Sequence, residues 1–195
     1  MFGESLTALC PEGTNMERRQ LLKTSGIALT TGLVGMAGCS GGTADSEATE
    51  STPTASGGEA TVQMITGGGS YYFDPIGLAV EPGTTVSFEN DSGSHSALSY
   101  KDGVGQASTT RIPEGAKSWE SSILTESGAT FEHTFETEGT YDYFCGPHKT
   151  LGMVGRIVVG DPGGPAEGSM PPDGEVPDSQ TIVDAGSVAY DDFSG

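Results

Sequence analysis

Soft and borderline metal donors lie in two distant places along this chain, and a fold that uses them must bring both places together. The run Tyr141-Asp142-Tyr143-Phe144-Cys145-Gly146-Pro147-His148-Lys149-Thr150-Leu151-Gly152-Met153 sets a thiol, an imidazole and a thioether in one short stretch, spaced C-x2-H-x4-M. Sulfur ligands with imidazole select copper over the cations that prefer oxygen. One Cys, two His and a weak axial Met form a complete mononuclear copper donor set, so the loop lacks only a second imidazole. His95, far upstream, is placed to supply it from another strand.

Histidine supply limits the chemistry. The chain has 3 His. Multicopper oxidases and copper nitrite reductases need a second centre built almost wholly from His, and after His95 and His148 only His133 remains. His133 sits in mid-strand beside Glu132 and reads as a structural or surface histidine. One mononuclear copper is therefore the capacity, which points to one-electron carriage and away from an enzyme. Taken singly, a buried free Cys and a core Met would explain Cys145 and Met153. Their joint spacing with His148 argues for a site.

The formal net charge is −19. All of it falls after Cys39, because Glu4, Glu12 and Glu17 offset Arg18, Arg19 and Lys23 before it. Beyond Cys39 only Lys101, Arg111, Lys117, Lys149 and Arg156 are basic. Such a balance repels nucleic acid and anionic lipid. It suits either an acidic docking face for a basic partner or a general adaptation to high salt, where self-repulsion is screened. The acids are scattered and Lys is sparse, which favours salt adaptation. Asn90-Asp91-Ser92 matches a glycosylation sequon, a short and weak pattern.

Cys10, Cys39 and Cys145 are odd in number and each lies in a different segment, so no disulfide framework is implied. Residues 1–38 read as an upstream extension followed by an export signal. The charged start Met16-Glu17-Arg18-Arg19-Gln20-Leu21-Leu22-Lys23 precedes an apolar run too short for a stable span. Its twin arginine resembles a twin-arginine translocation signal, and Met16 reads as the initiator. Gly35-Met36-Ala37-Gly38-Cys39 resembles a lipobox, making Cys39 the lipidation site and placing the chain at the cell membrane on the extracytoplasmic face. Residues 39–59, rich in Gly, Ser, Thr and Ala, form a solvated acidic tether. Residues 161–195 are Pro/Gly-rich and acidic, and are expected to be disordered.

Residues 60–160 read as strands. Alternation runs through 60–65, 85–89 and 130–135, with further strands at 78–80, 140–145 and 153–159. Glu81-Pro82-Gly83-Thr84 is a turn preset by Pro and Gly. Many short strands between turns, without a convincing helix, argue an all-β sandwich. Cys145 then lies at a strand end with His148 and Met153 on the following loop. His95 meets them if strand 85–89 neighbours strand 140–145. Trp119, Tyr143 and Phe144 read as packing residues.

Phe73-Asp74-Pro75, Val80-Glu81-Pro82-Gly83-Thr84-Thr85-Val86, Glu132-His133-Thr134-Phe135 and Gly139-Thr140-Tyr141, together with the Cys-x2-His-x4-Met loop, resemble the plastocyanin-like cupredoxins and most closely the halocyanins. That resemblance implies an eight-stranded Greek-key sandwich, one type 1 copper ion held by His95, Cys145, His148 and Met153, and electron transfer with respiratory redox partners by a monomer. The family places an Asn after the first histidine to tie the ligand loops together, whereas this chain has Ser96, so that hydrogen bonding is expected to differ. The exposed edge of His148, ringed by Pro147, Leu151 and Met153, is the expected electron exit. The alternative function is a copper carrier or scavenger without redox cycling, which Met-rich or His-rich tracts would support. An inert β-sandwich module has no need of the Cys145, His148 and Met153 set.

Overall fold

The computed structural model describes residues 58–193. The expected export signal, the expected lipidation site at Cys39 and nearly all of the expected tether lie outside the described residues. Eight strands follow one another: β1 (Glu59–Gly67), β2 (Ser70–Asp74), β3 (Gly77–Val80), β4 (Thr84–Asn90), β5 (Leu98–Ser99), β6 (Ala129–Phe135), β7 (Gly139–Phe144) and β8 (Val154–Val159). They form two sheets, one ordered β2-β1-β4-β6 and the other β5-β7-β8-β3, the latter extended by a ninth strand described below. β1 runs parallel to β4 and β3 parallel to β8, while the other pairs among these eight strands are antiparallel. The all-β sandwich expected from the alternation is thus present.

The period-two pattern sets which side chains meet between the sheets. In β4, Val86 and Phe88 point inward, and Val62 and Met64 do so from β1. Tyr141 and Tyr143 of β7 and Ile157 and Val159 of β8 close the core from the opposite sheet. The Tyr143 ring stands 4.6 Å from Phe73 and 5.3 Å from Phe88, both edge-on. Edge-on ring pairs of this kind add about 0.5–1.5 kcal/mol each beyond area burial. Trp119 joins the same cluster. His133 stacks on Trp119 at 4.6 Å, and burial lowers its pKa, so it is a packing histidine. Asn90, the sequon residue, is fully buried and donates to the carbonyls of Gly93 and Glu126.

Two expectations need correction. Strand 85–89 does not neighbour strand 140–145: β4 and β7 lie in different sheets. Two-residue β5, which begins three residues after His95, makes the link by pairing Leu98 with Phe144 and Ser99 with Tyr143. Nor is the C-terminal segment disordered. It contributes helix α1 (Ser179–Ala185) and strand β9 (Ser187–Val188), which pairs antiparallel with β3. Asp178 caps α1 by accepting from the N–H groups of Gln180 and Thr181. Beyond α1, Tyr190 stacks on Tyr72 at 4.1 Å.

Charge explains why this segment is ordered. Asp142 points to the outer face of β7 and is fully buried between Arg111 Nε at 2.7 Å and Arg156 Nε at 2.8 Å. Two buried guanidiniums facing one carboxylate need further acceptors. The C-terminal segment brings them. The carbonyl of Ala166 accepts from Arg111 Nη2 at 2.9 Å and from Arg156 Nη2 at 3.1 Å. Ser169 accepts from Arg111 through both its carbonyl and its hydroxyl. Pro177 O and Ser179 Oγ accept from Arg156 Nη1 at 3.3 and 3.2 Å. Val176, Pro171 and Ile182 are buried as well, and add apolar contact to this strap.

Breaking a buried ion cluster by removing partners costs about 3–5 kcal/mol. A chain ending at Gly160 is therefore expected to lose at least about 3 kcal/mol of unfolding free energy against the otherwise identical full chain, measured by urea denaturation. Equal midpoints would show that the strap is passive.

Candidate metal centre

β7 delivers Cys145 to one end of the sandwich, and the chain turns back at once. His148 N–H donates to Cys145 O at 3.2 Å, and a 3-10 turn follows over Lys149–Leu151. Leu151 N–H donates to His148 O at 2.9 Å, and Met153 N–H to the same oxygen at 3.3 Å. Cys145 N–H donates to Met153 O at 3.0 Å, so Met153 sits across from Cys145 where β8 begins. Both residues are fully buried.

His95 arrives from the other side. Its backbone bridges Leu124 in both directions, at 3.0 and 2.7 Å. Its ring Nε2 lies 2.9 Å from Ser92 O and 3.0 Å from Thr66 Oγ1. A carbonyl can only accept, so Nε2 carries the proton and Nδ1 presents its lone pair. That lone pair faces 3.6 Å to Cys145 Sγ and 3.2 Å to His148 Nδ1, while His148 Nδ1 is 3.4 Å from Cys145 Sγ. The centre of this triangle lies about 2 Å from each corner, close to a metal–nitrogen bond and slightly short of a metal–thiolate bond. Two imidazole nitrogens and a sulfur, turned toward one point in a buried pocket, fit a copper ion.

Electrostatics agree with this use. Burial lowers the pKa of His95, with the neighbouring His148 adding to the effect, and burial lowers that of His148 too, so both rings are neutral at pH 7 and free to donate a lone pair. Burial pushes the Cys145 thiol up, although hydrogen bonds from Ser96 and His148 oppose it. A metal entering here must displace the thiol proton.

Three of the sequence-predicted ligand atoms thus converge, and Met153 packs beside them. Pro147 and Leu151 are exposed, Leu151 at 62%. Met153 is fully buried and takes no part in the expected apolar rim around His148. Sequence reasoning missed Tyr71 of β2, whose ring stacks on His148 at 3.8 Å and an interplanar angle of 9°. Tyr71 and Tyr72 are adjacent aromatics in a short strand, and nothing in their spacing marks the one that covers a ligand.

Ser96 is the departure that draws the ligand loops together. Its hydroxyl accepts from Gly146 N–H at 3.0 Å, and its own N–H donates to Cys145 Sγ at 3.5 Å. The short side chain suffices because the loops approach closely. A Cβ on Gly146 would stand 3.1 Å from Ser96 Oγ, so the missing side chain at 146 makes the room.

A buried Cys and His with a second, partly exposed His, and a Met alongside, define a mononuclear copper centre of the blue-copper class. The comparisons agree: residues 43–160 match the family of copper binding proteins, plastocyanin/azurin family, and the chain belongs to that family. Halocyanin from Natronomonas pharaonis is 37% identical over 106 residues, covering 52% of this chain and 58% of that protein. Plastocyanin from Scenedesmus fuscus is 31% identical over 105 residues, covering 52% of this chain and 99% of that protein. The chloroplastic plastocyanin of Fritillaria agrestis is 37% identical over 102 residues, covering 50% and 59%. The chain thus spans less than two thirds of the halocyanin and of the Fritillaria protein. A solved pseudoazurin from Methylobacterium extorquens is also similar, with 24% identity, a TM-score of 0.48 and coverage of 66% of this chain and 96% of that one.

Ser96→Ala leaves the Gly146 N–H without its acceptor. The expected cost is about 1–2 kcal/mol of metal-free stability, measured by urea unfolding, together with faster loss of copper to a chelator. Unchanged values for both would remove Ser96 from its bridging role.

Proposed function

We propose that this chain is a single-electron carrier that holds one type 1 copper with His95, Cys145, His148 and Met153. The observation that carries the proposal is the triangle of Nδ1, Nδ1 and Sγ, its edges 3.2 to 3.6 Å. Copper bound there supplies a one-electron couple between Cu(I) and Cu(II), because thiolate favours the reduced ion and imidazole suits both. The protein's part is to keep the donors in place for either state. Ser92 O fixes the His95 tautomer, Ser96 fixes the Cys145 loop, and Tyr71 holds the His148 ring from one face. Fixed donors keep reorganisation small, the quality that separates a carrier of electrons from a carrier of copper.

Of the three converging donors, His148 alone is not fully buried, so it is the route by which an electron enters or leaves. Pro147 and Leu151 give that end an apolar rim for a docked partner. In this proposal the domain is exported by the twin-arginine route and tethered to the extracytoplasmic face of the cell membrane through a lipidated Cys39. It works as a monomer between respiratory donors and acceptors. The lipobox-like Gly35-Met36-Ala37-Gly38-Cys39 and the twin arginine support the tether, and the net charge of −19 supports life in high salt. Among the described residues, no helix is long and apolar enough to cross a membrane.

The test is visible absorption and EPR on the chain from residue 40 onward, loaded with Cu(II). An intense thiolate-to-copper band with narrow copper hyperfine splitting is expected, lost in Cys145→Ser. A weakly coloured complex would favour the copper-carrier alternative. His148→Gly is expected to open the site and slow electron self-exchange by at least about tenfold. Exchange at the original rate would move the exit elsewhere.

A further inference from the structure

The family match ends at residue 160, and the mechanism so far uses nothing beyond it. Yet the strap returns to the ligand loop at one point. Lys149, next in sequence to His148, points its Nζ at Asp173 Oδ2 at 2.8 Å. The two side chains are only 12% and 16% exposed, so this is not an ordinary surface pair. Tyr100, fully buried, donates its hydroxyl to the same Oδ2 at 2.7 Å. Around them, Lys149 Nζ lies 5.4 Å from the Phe144 ring centre and 5.8 Å from that of Tyr100. A cation between two ring faces and a shielded carboxylate is held by several terms at once.

The next residue of the strap makes the second contact. A Cβ on Gly174 would stand 3.0 Å from Gly152 O and 2.8 Å from Val154 Cγ2. Gly152 closes the 3-10 turn in the left-handed region, with φ at 86°, and Val154 opens β8. The strap backbone therefore lies directly on the turn that joins His148 to Met153. Both contacts bear on the 3-10 turn between His148 and Met153, which lies outside the strands. The Arg111 and Arg156 cluster anchors the same strap elsewhere, so it has a fixed base from which to hold the turn.

We infer that Asp173 is a positioning residue for the copper loop: through Lys149 it clamps the Lys149–Leu151 turn and thereby sets where His148 and Met153 present their donors. This rests on the electron-carrier proposal for its purpose but not for its geometry. Because the pair is shielded, added salt screens it less than it screens exposed charges. The clamp therefore survives in the saline surroundings that the acidic surface suits.

The test uses the same chain from residue 40, carrying Asp173→Asn, which keeps an oxygen acceptor for Tyr100 while removing the charge that Lys149 needs. In the metal-free protein, amide exchange at Leu151 and Gly152 is expected to quicken by about tenfold, with core amides of β1 and β4 unchanged. In the copper-loaded protein, the copper hyperfine splitting is expected to change. Asp178→Ala, which uncaps α1 away from the loop, should lower Tm while leaving both loop readouts as they are. If Asp173→Asn folds poorly, Lys149→Met tests the same pair from the loop side. Exchange that quickens everywhere equally, or loop amides and spectra that match the parent, would overturn the inference. A parent chain that fails to give a blue centre would overturn the electron-carrier proposal, and the metal-free exchange would still judge the clamp.

Discussion

Strand β7 has no free face, and the rest of the structure is arranged around that constraint. Tyr141, Tyr143 and Cys145 point between the sheets, where the apolar cluster and the candidate copper donors lie. Thr140, Asp142 and Phe144 point the other way, toward what would be solvent in a bare sandwich. Each of the three meets the strap or its supports: Thr140 donates to Glu167, Asp142 sits between two arginines that the strap saturates, and Phe144 packs with Val176. A carboxylate in the middle of a buried strand is costly unless its counter-charges are close and themselves satisfied. That cost fixes the strap, and the strap covers the outer face of the strand that delivers Cys145.

The copper loop was legible because its information is local. Cys145, His148 and Met153 fall within one short run, and their spacing alone narrows the metal. His95 followed from the small number of histidines, but the way it reaches the loop did not. A two-residue strand such as β5 leaves no periodicity to detect, and alternation in β4 drew attention to the wrong neighbour. The order of the C-terminal segment is not legible in its composition. Pro171, Pro172 and Pro177 with their glycines resemble a chain that cannot bury a core. Its partners were visible from the other direction, however. Asp142 stands alone inside the apolar run Tyr141 to Cys145, and Arg111 and Arg156 are among very few basic residues in an acidic chain. A lone charge in a strand that is otherwise apolar on both faces signals that something polar covers it.

Orientation at the centre comes from the protein on both sides. His95 is set by the carbonyl of Ser92, in the loop after β4, and by the hydroxyl of Thr66 in β1, and Cys145 by the Ser96 amide and by the hydroxyl that grips Gly146. Tyr71 reaches across from β2 to stack on His148. These contacts join the candidate donors to backbone and packing groups rather than to one another. A site meant only to sequester copper gains nothing from such rigidity. One that must pass an electron does, because any ligand movement between oxidation states adds to the barrier.

Charge is also divided between inside and outside. Of the five basic residues beyond Cys39, Arg111, Arg156 and Lys149 lie in shielded ion pairs, and Lys117 is spent on the exposed carboxylate of Glu136. The positive charge is thus drawn inward, and the outer surface is more uniformly acidic than the net value of −19 conveys. Salt acts on these two populations differently. It screens the mutual repulsion of the exposed carboxylates strongly, and the attractions inside the strap and at the copper loop only weakly. Rising ionic strength therefore removes the main electrostatic term opposing the compact state while leaving those that hold the ligands. The same screening weakens long-range steering of any basic partner, which, in the proposed carrier role, leaves short-range contact at the apolar rim around His148 to decide docking.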